Sequence, residues 1–414
     1  MIRRWLKIKL ITAVGWVLRR YLRSRFWMGF LRRFPRLAWL PGTTFLPLIR
    51  LSVHHEDAVR VLELNRNFAV PYLEKMKELG APFMLGLDQS EAHTRQRSAI
   101  WSALKPIALG EVGTTSRDAA EHALEHKSRI EIVHGLTDVV LEKTIGVHLG
   151  TGTTTRTQLD AARMVFRHIF INPFNSPDVV EAAGRDANLL LDHVKDIVAD
   201  RRAAVGNGGP YGDDVLGKLL KAMDDGAEPR LESNEELIDQ LVGLVVAWAA
   251  SISRSTAYAI DALLDQPDAM AKAHEVALAL ADQPRADVEP MWEVLSEALR
   301  WQPPVPAIER VCMREGPVEG ETVRREREVW AVLTAVTMDK TRYANPRRFS
   351  LSRADQDNLA FGYDLHRCLG LPIAREQMSR IAIALLRRKN VKRACKLQLV
   401  GPYPDKLDVT FEAL

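Results

Sequence analysis

Residues 360–370 read AFGYDLHRCLG and run directly into LPIAREQMSRIAIALL (371–386), which reads as a helix. The first stretch holds one of only three cysteines, Cys368, two residues after His366 and two before Gly370. A lone cysteine is ordinarily a small buried hydrophobe. One placed just ahead of a helix N-terminus is different, because the helix dipole and free N–H groups there stabilise a thiolate. Such a sulfur can ligate a metal.

The surrounding composition is globular. Of 414 residues 47% are hydrophobic and 27% charged, enough to bury a large core. Cys312, Cys368 and Cys395 are too few for a disulfide framework, and the odd count fits a reducing, cytoplasmic setting. No clustered Cys/His spacing suggests structural zinc.

The net charge of +4 conceals an asymmetry. Residues 1–55 carry twelve Lys/Arg and no acid before Glu56, which leaves 45 basic against 53 acidic residues, a formal −8, in the rest. Four of nine tryptophans (Trp5, Trp16, Trp27, Trp39) fall in this basic segment. Its longest apolar run, LITAVGWVL (10–18), is well short of the roughly 20 residues that span a bilayer. Basic residues mixed with Trp, Leu and Phe suit peripheral membrane contact through residues 1–50, or an arm packed on an acidic body or partner. No nucleic-acid reader accompanies the charge, so nucleic acid is not expected as a partner. Residues 1–50 are accordingly set apart from a domain spanning 51–414.

Most of that body reads as helix. LVGLVVAWAASISRSTAYAIDALL (241–264) is long and apolar on most faces, and Ser233 with Glu236 forms an S-x-x-E capping box ahead of it. The spacing predicts one helix from about Asn234 to Leu264 through the middle of the protein. GNGGPYGDD (206–214) is the clearest loop, and VLGKLLKAM (215–223) a short helix after it. VWAVLTAVTM (329–338) reads as a strand. The expected class is mainly α, with a long central helix and small β-sheets. The βαβ rhythm and Gly-rich loops of a nucleotide-binding sheet are absent.

The order F-G-x-x-x-H-x-C-x-G, here Phe361, Gly362, His366, Cys368 and Gly370, resembles the heme-binding signature of the cytochrome P-450 family. Ala374 and Arg375 match its continuation. The family's second glycine is Asp364, one of the few residues that tolerate a left-handed backbone. Glu297 and Arg300 in SEALRW resemble the family's ExxR pair, with Arg348 of NPRRF at the place of its third member. HTRQR (93–97) resembles the HTRxR helix, and Arg310 matches a propionate-pairing position. The resemblance covers about residues 50–414. It implies the cytochrome P-450 fold, heme b as cofactor, Cys368 as iron ligand, and His93, Arg97, Arg310 and His366 on the propionates.

One turn departs from the pattern. In the family the central helix carries A-G-x-[D/E]-T, whose acid and hydroxyl deliver protons for O–O bond cleavage. Counting back from Pro267 puts AWAAS (247–251) there. Trp248 then stands at the glycine, Ala250 at the acid and Ser251 at the alcohol, so a bulky ring occupies expected space and the acid is missing. The resemblance implies monooxygenation of a lipophilic small molecule (natural-product, terpenoid or fatty-acid-like), with electrons from a separate ferredoxin or flavoprotein reductase. The missing acid leaves two alternatives. One uses peroxide, isomerises a hydroperoxide, or performs an oxidative rearrangement or coupling. The other is a catalytically silent heme-binding scaffold. Segments 66–86 and 165–177, rich in Phe, Leu, Met and Pro, should face substrate; Arg167 and His168 within them read first as solvated, and only second as partners for a carboxylate.

Overall fold

The computed structural model describes residues 22–41, 48–63, 67–105, 109–173, 175–283, 285–353, 358–400 and 403–414. The chain is mainly helical, as its periodicity predicts. The central helix spans Asn234–Leu263, with the Ser233 side chain accepting the Glu236 N–H as its N-cap. The reciprocal half of the expected capping box does not form. The Glu236 carboxylate instead takes Arg95, Gln96 and the Glu232 N–H, because a guanidinium offers it a stronger partner. This helix is apolar and long enough to cross a membrane, yet 72% of its most apolar window is buried inside the protein.

The helices packed on it include Arg156–Ile171, Pro177–Gly206, Glu289–Trp301, Asp138–Leu149 and Leu371–Leu386, the last following Cys368 directly. Helix Leu371–Leu386 in turn packs closely against Leu109–Leu124. The main core lies among these elements, with Leu241, Ala257, Ile260, Leu299, Ile381 and Leu385 fully inaccessible.

The strands gather beside this bundle. One sheet holds five strands in the order Trp39–Pro41, Leu48–Ser52, Glu328–Ala331, Ile308–Cys312 and Phe68–Ala69. Only the Leu48–Ser52 pairing with Glu328–Ala331 is parallel. A second sheet joins Arg129–Glu131, Asp408–Thr410 and Lys392–Arg393.

Two expectations change. The run 329–338 is a strand only to Ala331, and Leu333–Val336 is a turn of helix closed by Val336 N–H to Val332 O at 2.9 Å. A run apolar throughout carries no period, so a buried strand and a buried helical turn look alike in it. The boundary at residue 50 also fails. Helix Arg25–Arg33 buries Met28 and Leu31 against Trp330, Val332 and Ala335, and residues 39–52 belong to the main sheet. Residues 1–21, including Trp5 and Trp16, lie outside the described residues.

Candidate functional site

The loop ahead of Leu371–Leu386 is held by its own backbone. The Cys368 N–H donates to Phe361 O at 2.8 Å. Gly362 adopts φ +74°, and a Cβ there would lie 2.5 Å from His366 O, so no other residue fits. Asp364 sits at φ +51°, the left-handed conformation that aspartate tolerates. Phe361 packs on Trp292 with ring centroids 5.6 Å apart. Gly370 is the N-cap of the helix, and the sulfur faces the N–H groups of Gly370 and Leu371. Cys368 is solvent-exposed along one side; the packing around its sulfur still pushes the thiol pKa up, while those N–H groups and the Arg97 guanidinium pull it down.

Two more elements bring basic groups to the same loop. His93 and Arg97 share helix Glu91–Leu104, whose N-cap is Ser90, and Arg310 comes from strand Ile308–Cys312. Arg97 Nη2 donates to Arg367 O at 2.7 Å, and the rings of His93 and His366 lie 5.1 Å apart. His366 is pushed down to about 3 by burial and by Arg310, His93 and Arg97. His93 is lowered by burial and then by Arg97, and Arg310 by burial. Both ring nitrogens of His93, Nε2 of His366 and Nε of Arg310 are buried with no hydrogen-bond partner among the described residues. Converging buried donors of this kind are costly unless an anionic group meets them. A dianionic porphyrin with a metal facing the Cys368 sulfur fits this donor set.

Helix Glu289–Trp301, whose Trp292 meets Phe361 of the loop, also carries a buried ion pair. Glu297 and Arg300, each 3% exposed in the side chain, form a two-pronged pair at 2.6 and 2.8 Å. The third member is not Arg348, which is exposed. Arg353 takes that place, with its guanidinium 3.3 Å from Glu297, and the Ser350 N–H donates to the same carboxylate at 2.8 Å. The segment between is turns, and it returns to Glu297 five residues later than motif spacing suggested. Arg300 also donates to Thr337 O and Pro346 O, pinning that segment to the helix.

On the central helix the structure turns Trp248 away from the expected space. Its indole N–H donates to Gln377 Oε1 at 2.8 Å, and its ring stacks on His148. Gln377 donates onward to Thr144 Oγ1 at 2.9 Å and Ser116 Oγ at 3.2 Å, so the buried amide is satisfied on both ends. A buried indole N–H needs an acceptor, and the neighbouring helix supplies one. Ala250 is buried and Ser251 half-buried. Sequence reasoning missed Gln377; its signal was a polar residue in the four-residue row Ile373, Gln377, Ile381 and Leu385.

The opposite face of the central helix borders a narrow apolar cavity lined by Met76, Phe83, Ile169, Phe170, Gly243 and Ala247. Phe83 lies directly over Gly243, where a Cβ would come within 2.3 Å of the ring. The segments 66–86 and 165–177 do supply lining residues. His168 is buried beside Lys75, not solvated, and is pushed down to about 4 by that burial; Arg167 is half-buried.

The sequence matches the cytochrome P450 family model over residues 148–398. Cytochrome P450 109 of Bacillus spizizenii is 25% identical over 295 residues, 68% of this chain and 66% of the relative. The 6-deoxyerythronolide B hydroxylase of Saccharopolyspora erythraea is 27% identical over 199 residues, 48% of this chain and 45% of that one. The matched stretches thus span just under two thirds and just under half of these relatives. Among solved structures, P450BioI in complex with hexadec-9Z-enoic acid ligated acyl carrier protein superposes with a TM-score of 0.78. That likeness, at 19% identity, covers 95% of this chain and 99% of the other. The chain belongs to the cytochrome P450 family, whose cofactor is heme b.

Proposed function

We propose that the protein is a heme-thiolate monooxygenase acting on a lipophilic small molecule of natural-product or fatty-acyl type. The observation that carries this reading is the convergence of unpartnered basic nitrogens from His93, Arg310 and His366, together with Arg97, on the Cys368 loop. Cys368 would hold the heme iron, and those four residues would meet its propionates. Bound there, heme supplies redox-active iron whose thiolate ligand favours O–O bond cleavage. The protein's own part is to brace the helix that meets this loop at Phe361, through Glu297, Arg300 and Arg353, and to exclude water from an apolar cavity. The cavity lining suits an apolar substrate, and a relative named 6-deoxyerythronolide B hydroxylase supports the substrate class. Electrons would come from a separate ferredoxin or flavoprotein reductase.

A second reading rests on the acid position. Ala250 offers no proton, and the nearby Trp248–Gln377 pair is a closed hydrogen-bond network without a carboxylate. Peroxide, which brings its own protons, would make an acid relay unnecessary. Turnover with redox partners and oxygen, set against turnover with peroxide alone, separates the readings. Activity only with partners sinks the peroxide reading. Failure of the ferrous protein to give a thiolate-type red-shifted carbon monoxide spectrum, with no spin change on adding lipophilic candidates, sinks both and leaves a scaffold.

A further inference from the structure

Helix Arg25–Arg33 has two apolar faces, and only one is used by the fold. Met28 and Leu31 are 1% and 2% exposed against the main sheet. Around the other side Phe26, Phe30 and Phe34 follow one another at four-residue spacing, and Leu37 continues the row. Phe26 is 73% exposed, Phe34 49% and Leu37 60%. The rings touch in series, Phe26 to Trp27 at 5.5 Å, Trp27 to Phe30 at 6.0 Å and Phe30 to Phe34 at 5.1 Å. Soluble surfaces seldom expose contiguous aromatic residues this way.

The surroundings are basic. Arg33 and Arg36 are exposed beside the aromatic row. The neighbouring cleft is lined by Arg32, Lys340, Arg347 and Arg348, with Asp339 already committed to the backbone N–H groups of His55 and Thr341. Glu321, at 3.5 Å from Arg36, is the acid that faces this rim across a largely exposed pair. The helix cannot swing away. Arg32 donates to Met338 O, and the Thr334 hydroxyl to Leu22 O.

We infer that this aromatic, arginine-rimmed face seats the protein on an anionic lipid surface. Aromatic residues favour the headgroup boundary, and arginines beside them meet lipid phosphates. Charge argues against the other occupants. A second copy packed by two-fold symmetry would set Arg33 and Arg36 against their own duplicates. Residues 1–21 carry six Lys/Arg and no acid, the same sign of charge as this rim.

The test uses the full-length, heme-loaded protein and co-sedimentation with vesicles of equal parts phosphatidylcholine and phosphatidylglycerol. Wild type should pellet with these and far less with phosphatidylcholine alone, and salt should weaken binding. Phe26→Ser/Phe30→Ser/Phe34→Ser should lower partitioning by about tenfold or more. Arg33→Gln and Arg36→Gln should each lower it about fivefold. Unchanged circular dichroism and heme spectra establish that the variants fold. No pelleting of wild type overturns the proposal. Full pelleting of the triple variant moves the contact to residues 1–21 and also overturns it. A wild-type dimer by light scattering that the triple variant loses, without vesicle binding, assigns the face to a second copy.

Discussion

The two sides of this site were built to different standards. On the cysteine side nearly every atom is over-determined: Gly362 admits no Cβ, Cys368 is fixed by Phe361 O, and Glu297 is gripped by two arginines and a backbone N–H. On the central-helix side the turn 247–251 offers alanines, a half-buried serine and an indole aimed elsewhere. The contrast teaches that holding the cofactor tolerates little change, whereas supplying protons can be rearranged around it.

The comparison breaks first at the sulfur. Cys368→Ser should abolish the thiolate-type carbon monoxide spectrum completely while the apoprotein stays folded; a surviving spectrum would refute the ligand assignment. Next comes the brace. Glu297→Ala leaves Arg300 and Arg353 buried without their anion and should cost about 3–5 kcal/mol, read from the denaturant midpoint. Arg348→Ala should cost well under 1 kcal/mol, as an exposed side chain does. Equal losses from the two would restore Arg348 to the network.

The central-helix side should respond more mildly. Trp248→Phe removes the N–H donor and leaves Gln377 Oε1 buried and unsatisfied, a loss of about 1–3 kcal/mol in stability. Carbon monoxide association should not change, because the ring points at helix Leu371–Leu386; faster association would return it to the cavity. Ala250→Asp should raise oxygen-driven turnover and leave peroxide-driven turnover unaltered, and no change in either would mean another proton source.

A separate effect is in pH. His366 has its pKa lowered in the folded protein, so the unfolded chain binds the proton more readily. The heme-free protein should therefore be fully stabilised above about pH 6.5 and lose stability as the pH falls toward 3. His366→Phe should flatten that slope in urea titrations. Adding heme should flatten it too, since propionates favour the charged imidazole.

What the sequence disclosed follows the same divide. The cysteine loop was legible because its demands are local: a positive φ at 362, an αL-tolerant residue at 364 and a helix start at 371 are properties of single residues. Glu297 and Arg300 were legible because three residues on a helix define a face. Arg353 was not, since the turns between 339 and 353 have no period from which to count its return. For Trp248, only contact with Gln377 and His148, residues from two other helices, tells which way its ring leaves the axis.

Gly243 closes the question of what this enzyme can be taught. With Phe83 resting on a bare backbone, the side chain at 243 is a graded wedge under a single aromatic shutter. Alanine, serine and valine there would lift the ring by increasing steps and redraw the chamber wall without touching the cysteine loop. A three-member library at one codon would thus regrade the width of that apolar cavity, separately from the cysteine loop.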